Sequence, residues 1–94
     1  MSGIERQDTK TKGRYTLHGP GGAVATLTFS KAGATMIILD NTEVPDAFRG
    51  QGVGVSLVTR AVEDARAAGL KIIPLCPFAA AQFKRHLEWA DVLK

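Results

Sequence analysis

Arg49 is followed by glycines at alternate positions, Gly50, Gly52 and Gly54, and then by apolar residues at helical spacing. Glycine inside a helix costs about 0.5–1 kcal/mol relative to alanine, so three of them at a helix start need a reason. A turn whose successive N–H groups lead into a helix N-terminus is an anion site. Its unpaired amides and the positive end of the macrodipole both point at the ligand. Without Cβ atoms the backbone approaches closely, and Arg49 adds a mobile cation. The ligand that suits such a loop is a pyrophosphate. Two common pyrophosphate loops fail at the residues their chemistry requires. A P-loop ends in Gly-Lys-Ser/Thr, whereas this loop ends in Gly-Val-Gly. A dinucleotide fingerprint counted from Gly50 would need its last glycine at Val55. Its ribose-binding acid would fall at Leu75 or Cys76. The competing reading is a glycine-rich turn with no ligand. The order around the loop favours a site: a polar-ended strand, Pro45, an arginine, the glycines and an amphipathic helix.

Few other residues have acid, base or nucleophile chemistry. Glu43 sits at a strand end and could deprotonate an amine, directly or through water; the alternative is a solvated carboxylate. Cys76 ends a strand just before Pro77 and a helix, whose N-terminus can lower a thiol pKa. It reads either as a base or acyl acceptor, or as a small buried apolar residue. Asp40 ranks below Glu43. His18 reads as a turn residue, and His86 as part of a basic helix end with Lys84 and Arg85. No His, Cys or Asp spacing suggests a metal site, and Ser56 and Thr59 lack partners for nucleophilic catalysis. Trp89 and Phe48 read as packing.

These residues need elements to hold them. Residues 1–12 read as a flexible lead-in and 13–94 as a single domain. Arg14–His18, Ala23–Ser30 and Thr35–Val44 alternate like strands, and the short turns between them imply an antiparallel meander. The third strand is apolar on both faces from Met36 to Leu39 and polar from Asp40 to Glu43. Simple alternation puts Asn41 and Glu43 on one face, and Asp40 and Thr42 on the other. Leu57, Val58, Ala61, Val62 and Ala65 make the apolar stripe of a helix over about 53–68, which Gly69 ends. Lys71–Cys76 reads as a short buried strand, parallel to the third through a right-handed crossover. Pro77 opens a final helix, with Phe78, Ala81 and Phe83 expected inward.

Ninety-four residues, 45% of them apolar, make one small core. The net charge of +3 is scattered, with no basic run, which argues against nucleic acid as partner. One cysteine permits no intrachain disulfide. The polar N-terminus is unlike a signal peptide, and no run is long enough to span a bilayer. The expectation is a cytoplasmic protein.

Arg49-Gly50-Gln51-Gly52-Val53-Gly54 resembles the Arg/Gln-x-x-Gly-x-Gly/Ala signature of the GNAT superfamily of acetyl-CoA-dependent N-acetyltransferases. The "TEVP" before it and "IIPLCPFAAAQFKRH" after it are similar to one branch, the short single-domain GNAT-like proteins. The resemblance runs from about Arg14 to Leu93 and implies a minimal GNAT fold of mixed α/β (α+β) class. In that fold a three-stranded antiparallel meander leads into a βαβ crossover with splayed parallel strands and a C-terminal helix. It implies acetyl-CoA lying in the splay, with pantetheine along Asn41, Thr42 and Val44. The pyrophosphate would lie on Phe48, Arg49, Gly50, Gln51, Gly52, Val53, Gly54 and Val55. Cys76, Pro77, Phe83 and Arg85 would complete the cofactor site. Cys76 and Glu43 are the catalytic candidates it leaves. The implied acceptor is an amine, on a small molecule or on a protein lysine or N-terminus, with the protein a monomer or weak homodimer. The chain departs from the branch at Asn41, where His is usual, at Gln82, where Tyr is usual, and at His86-Leu87-Glu88, where His-Pro-Glu is usual. Two acid/base candidates are thereby lost, which keeps open a non-catalytic acyl-CoA-binding module. A third reading is an interaction domain whose glycines only shape a turn.

Overall fold

Alternating apolar residues build the sheet, and one helical stripe covers it. The computed structural model describes residues 3–94. Five strands, β1 (Ile4–Asp8), β2 (Lys12–His18), β3 (Val24–Ala32), β4 (Met36–Glu43) and β5 (Lys71–Pro74), lie side by side in sequence order. The first four are antiparallel, and β5 runs parallel to β4. Between β4 and β5 the chain crosses over as α1 (Val53–Ala68), and α2 (Pro77–Arg85) follows β5. The architecture is the α/β fold expected from the sequence, with the parallel step at β4 and β5.

Tyr15, Leu17, Ala25, Leu27, Phe29, Ile37 and Leu39 form the inner face of the sheet, and all are buried. The stripe Leu57, Val58, Ala61, Val62 and Ala65 lies on them, none more than 1% exposed. Each large side chain so buried contributes about 1.5–3 kcal/mol. Gly69 takes a left-handed conformation (φ 72°) and stops α1.

Three expectations need correction. The lead-in contains β1, which pairs with β2 from Ile4↔Leu17 to Asp8↔Gly13. It is tied down by side chains rather than by an apolar pattern, so periodicity did not reveal it. Arg6 Nη1 donates to Tyr15 Oη (3.1 Å) and to Asp64 on α1 (3.2 Å), and Tyr15 Oη donates to Asp64 at 2.7 Å. On α2, Phe83 is buried as expected, but Phe78 and Ala81 face outward, and Ala79 and Gln82 are buried in their place. The ring of Phe83 meets Trp89 edge-on at 5.3 Å, which sets the rotation of the helix. The face assignment on β4 also changes, for a reason that belongs to the site.

The C-terminal residues cover part of the outer edge of β5. Ile72 N–H donates to Val92 O (2.6 Å), and Lys94 N–H donates to Ile72 O (2.9 Å). Arg66 holds Asp91 through two hydrogen bonds of 2.7 and 2.8 Å. No helix among the described residues is long and apolar enough to cross a membrane.

Candidate functional site

Beyond Leu39↔Pro74 the parallel pair comes apart. Two local features cause this. Pro74 has no N–H to donate, and Leu75 N–H turns back to Ile73 O (3.0 Å), bending β5 away in a three-residue turn. On β4, Thr28 pairs with Asn41 while Phe29 pairs with Leu39, so Asp40 is an extra residue in a β-bulge. The last link across the gap is Cys76 N–H to Leu39 O at 2.9 Å. From Asp40 to Glu43 the edge of β4 has no partner from β5. A free strand edge between two buried elements is a template for an extended, amide-bearing ligand.

The bulge also resets the faces. Thr42 pairs with buried Leu27 and so joins the inner, helix-bearing face, whereas Asp40 turns to the outer face and accepts from Ser30 Oγ at 2.6 Å. Thr42 and Asp40 therefore lie on opposite faces, contrary to the simple alternation. Asn41 pairs with Thr28 and is exposed, and Glu43 pairs with Thr26 and is exposed. Glu43, Val44 and Pro45 line a groove of about 450 Å³ with Val24 and Thr26 on the outer face.

The glycine loop starts at the mouth of the gap. Phe48 is buried against Gly19, where a Cβ would stand 2.4 Å from its ring, and this anchors the turn Asp46–Phe48. Gly50 (φ 78°) and Gly52 (φ 66°) are left-handed, with open space where a Cβ would point. Gly52 is the N-cap of α1 and has no side chain to cap it. Among the described residues, the amides of Gly50, Gly52, Val53, Gly54 and Val55 have no acceptor in the protein. Gln51 N–H does, at Phe48 O (3.1 Å). Five amides without an internal acceptor at a helix start are free to donate to an anion. Arg49 is 81% exposed at its side chain and reaches only Asp46, at 3.4 Å. Such a surface pair is weak, so the guanidinium is available to an anion.

Gly54 has a different role. It is buried, and a Cβ there would stand 2.7 Å from Phe78 Cζ and 3.4 Å from Val44 Cγ2. The ring of Phe78 thus rests on the backbone of α1 and joins the N-termini of the two helices beside the gap. That contact turns Phe78 away from the core, and the sequence carried its signal in the third glycine.

Cys76, 5% exposed, is the N-cap of α2, and its Sγ lies 3.4 Å from Thr42 Oγ1 across the gap. Burial pushes the thiol pKa up. The Thr42 hydroxyl and the amides of Ala79, Phe78 and Thr42 outweigh it, so the net shift is down. The α2 amides make no cap hydrogen bond to Sγ and act as oriented dipoles. Cys76 with Thr42 on the inner face, and Glu43 on the outer, thus flank one opening from opposite sides. Pro77 is exposed in the first turn of α2, whereas Phe83 faces the core and Arg85 lies exposed in the last turn. Phe83 and Arg85 are not brought to the loop by this arrangement. Among the described residues no cluster of His, Cys, Asp or Glu could hold a metal ion.

The chain is similar to known proteins in the same terms. A family model described as GCN5-related N-acetyl-transferase matches residues 14–92. The solution structure of a GCN5-like candidate N-acetyltransferase from Staphylococcus aureus is 33% identical, with a TM-score of 0.74. That similarity covers 100% of this chain and 91% of the other. No curated protein matches the chain in sequence.

Proposed function

The chain belongs to the GCN5-related N-acetyltransferase family, and from that premise we propose that it transfers an acetyl group from acetyl-CoA to an amine. The observation that carries the reading is the juxtaposition of two unsatisfied backbone surfaces. The bare edge of β4 over residues 40–43 leads directly to five free amides at the start of α1. A ligand with a diphosphate at one end and amides along its arm satisfies both, and that is the shape of coenzyme A.

The residues divide the work by position. Gly50, Gly52, Val53, Gly54 and Val55 hold the diphosphate through N–H groups, and Arg49 adds its charge. Asn41, Thr42 and Val44 present the strand edge, with Cys76 and Pro77 opposite. Phe48 and Gln51 fix the turn. Phe83 supports α2 from within the core, and Arg85 adds positive charge at its far end. Acetyl-CoA supplies an activated acyl group that an amine can attack. Glu43 Oε takes the proton of the acceptor amine from the outer face. As the C–N bond forms the C–S bond would break, and Cys76 Sγ–H on the inner face, made a better acid by the dipoles and Thr42 that lower its pKa, would give its proton to the departing CoA thiolate.

Thermal stability with and without acetyl-CoA tests binding. Ligand at 100-fold over Kd stabilises by about 2.7 kcal/mol, and each kcal/mol moves Tm by about 4–8 °C in a domain of this size. An unmoved Tm at millimolar acetyl-CoA would refute the reading. The non-catalytic module is favoured by Asn41 and Gln82, neither of which can pass a proton at neutral pH. Release of CoA in the presence of polyamines, lysine peptides and peptide N-termini separates the two.

A further inference from the structure

Resting on the acetyl-transfer reading above, we propose that the acceptor is the extended N-terminal segment of a protein, carrying an acidic side chain at about its third or fourth residue. It lies across the outer face of the sheet, which neither helix covers. Side chains on that face sort by strand. β4 contributes Asp40, Asn41 and Glu43, β3 contributes Thr26, Thr28 and Ser30, β2 contributes Lys12, Arg14, Thr16 and His18, and the edge strand β1 contributes Glu5, 3.9 Å from His18. Two concavities follow this surface. One of about 730 Å³ is lined by Lys12, Arg14, Thr28, Ser30 and Asp40, and the groove of about 450 Å³ holds Thr26 and Glu43.

The charges on this face are available. Asp8, which also lines the larger concavity, is taken by Arg6 (2.8 Å) and Lys31 (3.0 Å). Among the described residues Arg14 engages only Gln7, Nε to Oε1 at 2.9 Å, and Lys12 Nζ makes no hydrogen bond or ion pair. Neither cation has a carboxylate partner among the described residues. Among the described residues Glu43 has no ion partner, and the Asp40 side chain accepts only from Ser30. Acids without cations on β4 therefore look across to cations without acids on β2: Arg14 lies in one row with Thr28 and Asn41, and Glu43, two residues further along β4 in the row of Thr26 and Thr16, is about 12 Å from it. A row of hydroxyls on β3 lies between them.

The complementary ligand carries a cation at one end, an anion about 12 Å away and polar groups between. With its ammonium at Glu43, beside the gap in the sheet, an extended chain running obliquely toward β2 and rising about 3.3 Å per residue brings its third or fourth side chain within reach of the Arg14 side chain, with Lys12 two residues further along the strand. The hydroxyls of Thr26, Thr28 and Ser30 meet its backbone. Small-molecule sites enclose most of their ligand. Here two separate concavities lie along one sheet face, which favours a chain that reaches from one to the other.

The test uses three peptides beginning Ala-Gly-Glu-Glu, Ala-Gly-Gln-Gln and Ala-Gly-Lys-Lys, with acetyl-CoA saturating. The expected result is a kcat/KM for the acidic peptide about fivefold or more above the neutral one, with the lysine peptide lowest. In Lys12→Glu/Arg14→Glu the order reverses while acetyl-CoA affinity is unchanged. Arg14→Gln, a milder exposed change, narrows the preference without reversing it. Equal rates overturn the proposal, as does faster acetylation of a small zwitterionic amine than of any peptide. It is also overturned by no peptide turnover in a protein that binds acetyl-CoA, or by a dimer in sedimentation that buries Arg14. Failure to bind acetyl-CoA at all is a different result and strikes the reading beneath it.

Discussion

Thr42 Oγ1 and Cys76 Sγ stand 3.4 Å apart across the point where β4 and β5 separate. They are the only side chains shown to bridge the gap among the described residues, and their contact helps lower the thiol pKa. The fold favours the thiolate. Its contribution to stability is therefore complete above the free-thiol value of 9.0 and is lost as pH falls through the lower native pKa. Thiolate absorbance should titrate at lower pH than that of a free cysteine peptide, and Thr42→Val should move the midpoint up. Cys76→Ser should cut kcat at least tenfold with acetyl-CoA affinity unchanged. Full activity in that variant would reduce Cys76 to packing.

Gly54→Ala sets two effects against each other. Alanine gains about 1 kcal/mol of helix propensity, but its Cβ would meet the Phe78 ring at 2.7 Å, and overpacking costs about 1–3 kcal/mol. A net loss of stability is expected in denaturant melts, relieved in Gly54→Ala/Phe78→Leu. If the two changes are simply additive, the ring does not rest on this glycine.

Gly52 tests the anion cradle. Its φ of 66° strains a β-branched residue even though the space around it is open. Asparagine tolerates that conformation. Gly52→Asn should keep Tm within a few degrees, and its side chain should weaken coenzyme A binding about tenfold or more by calorimetry. Unchanged affinity would remove the loop from the site.

Much of this was legible in the residues. The α1 stripe, the glycine loop and the parallel step all follow from apolar spacing, glycine chemistry and crossover handedness. What was not legible depends on side chains meeting across the fold. β1 has little apolar pattern, because Arg6, Tyr15 and Asp64 hold it in place. The bulge at Asp40 follows from register with β3, which no window of β4 reveals. Phe78 reads as a core residue until Gly54 is seen to be its seat.

The edge strand gives a prediction about acid. Arg6 beside Asp8 holds its carboxyl down from 3.8 to about 2, with Lys31 assisting against burial. That contribution is complete above 3.8 and is lost as pH falls toward about 2. The pair is partly exposed, so it amounts to less than about 1 kcal/mol. Asp8→Asn should be less stable than the native chain at neutral pH, and the two should converge between pH 4 and pH 2. Parallel acid-unfolding curves over that window would contradict this.

We propose that the free amides of the glycine loop and the free edge of β4 together form one binding surface for coenzyme A. Amide chemical shifts during a titration with acetyl-CoA examine it directly. The largest, saturable changes are expected at Gly50, Gly52 to Val55 and Asn41 to Val44. Signals that stay still at those positions at millimolar ligand, or that move only elsewhere on the sheet, would contradict it.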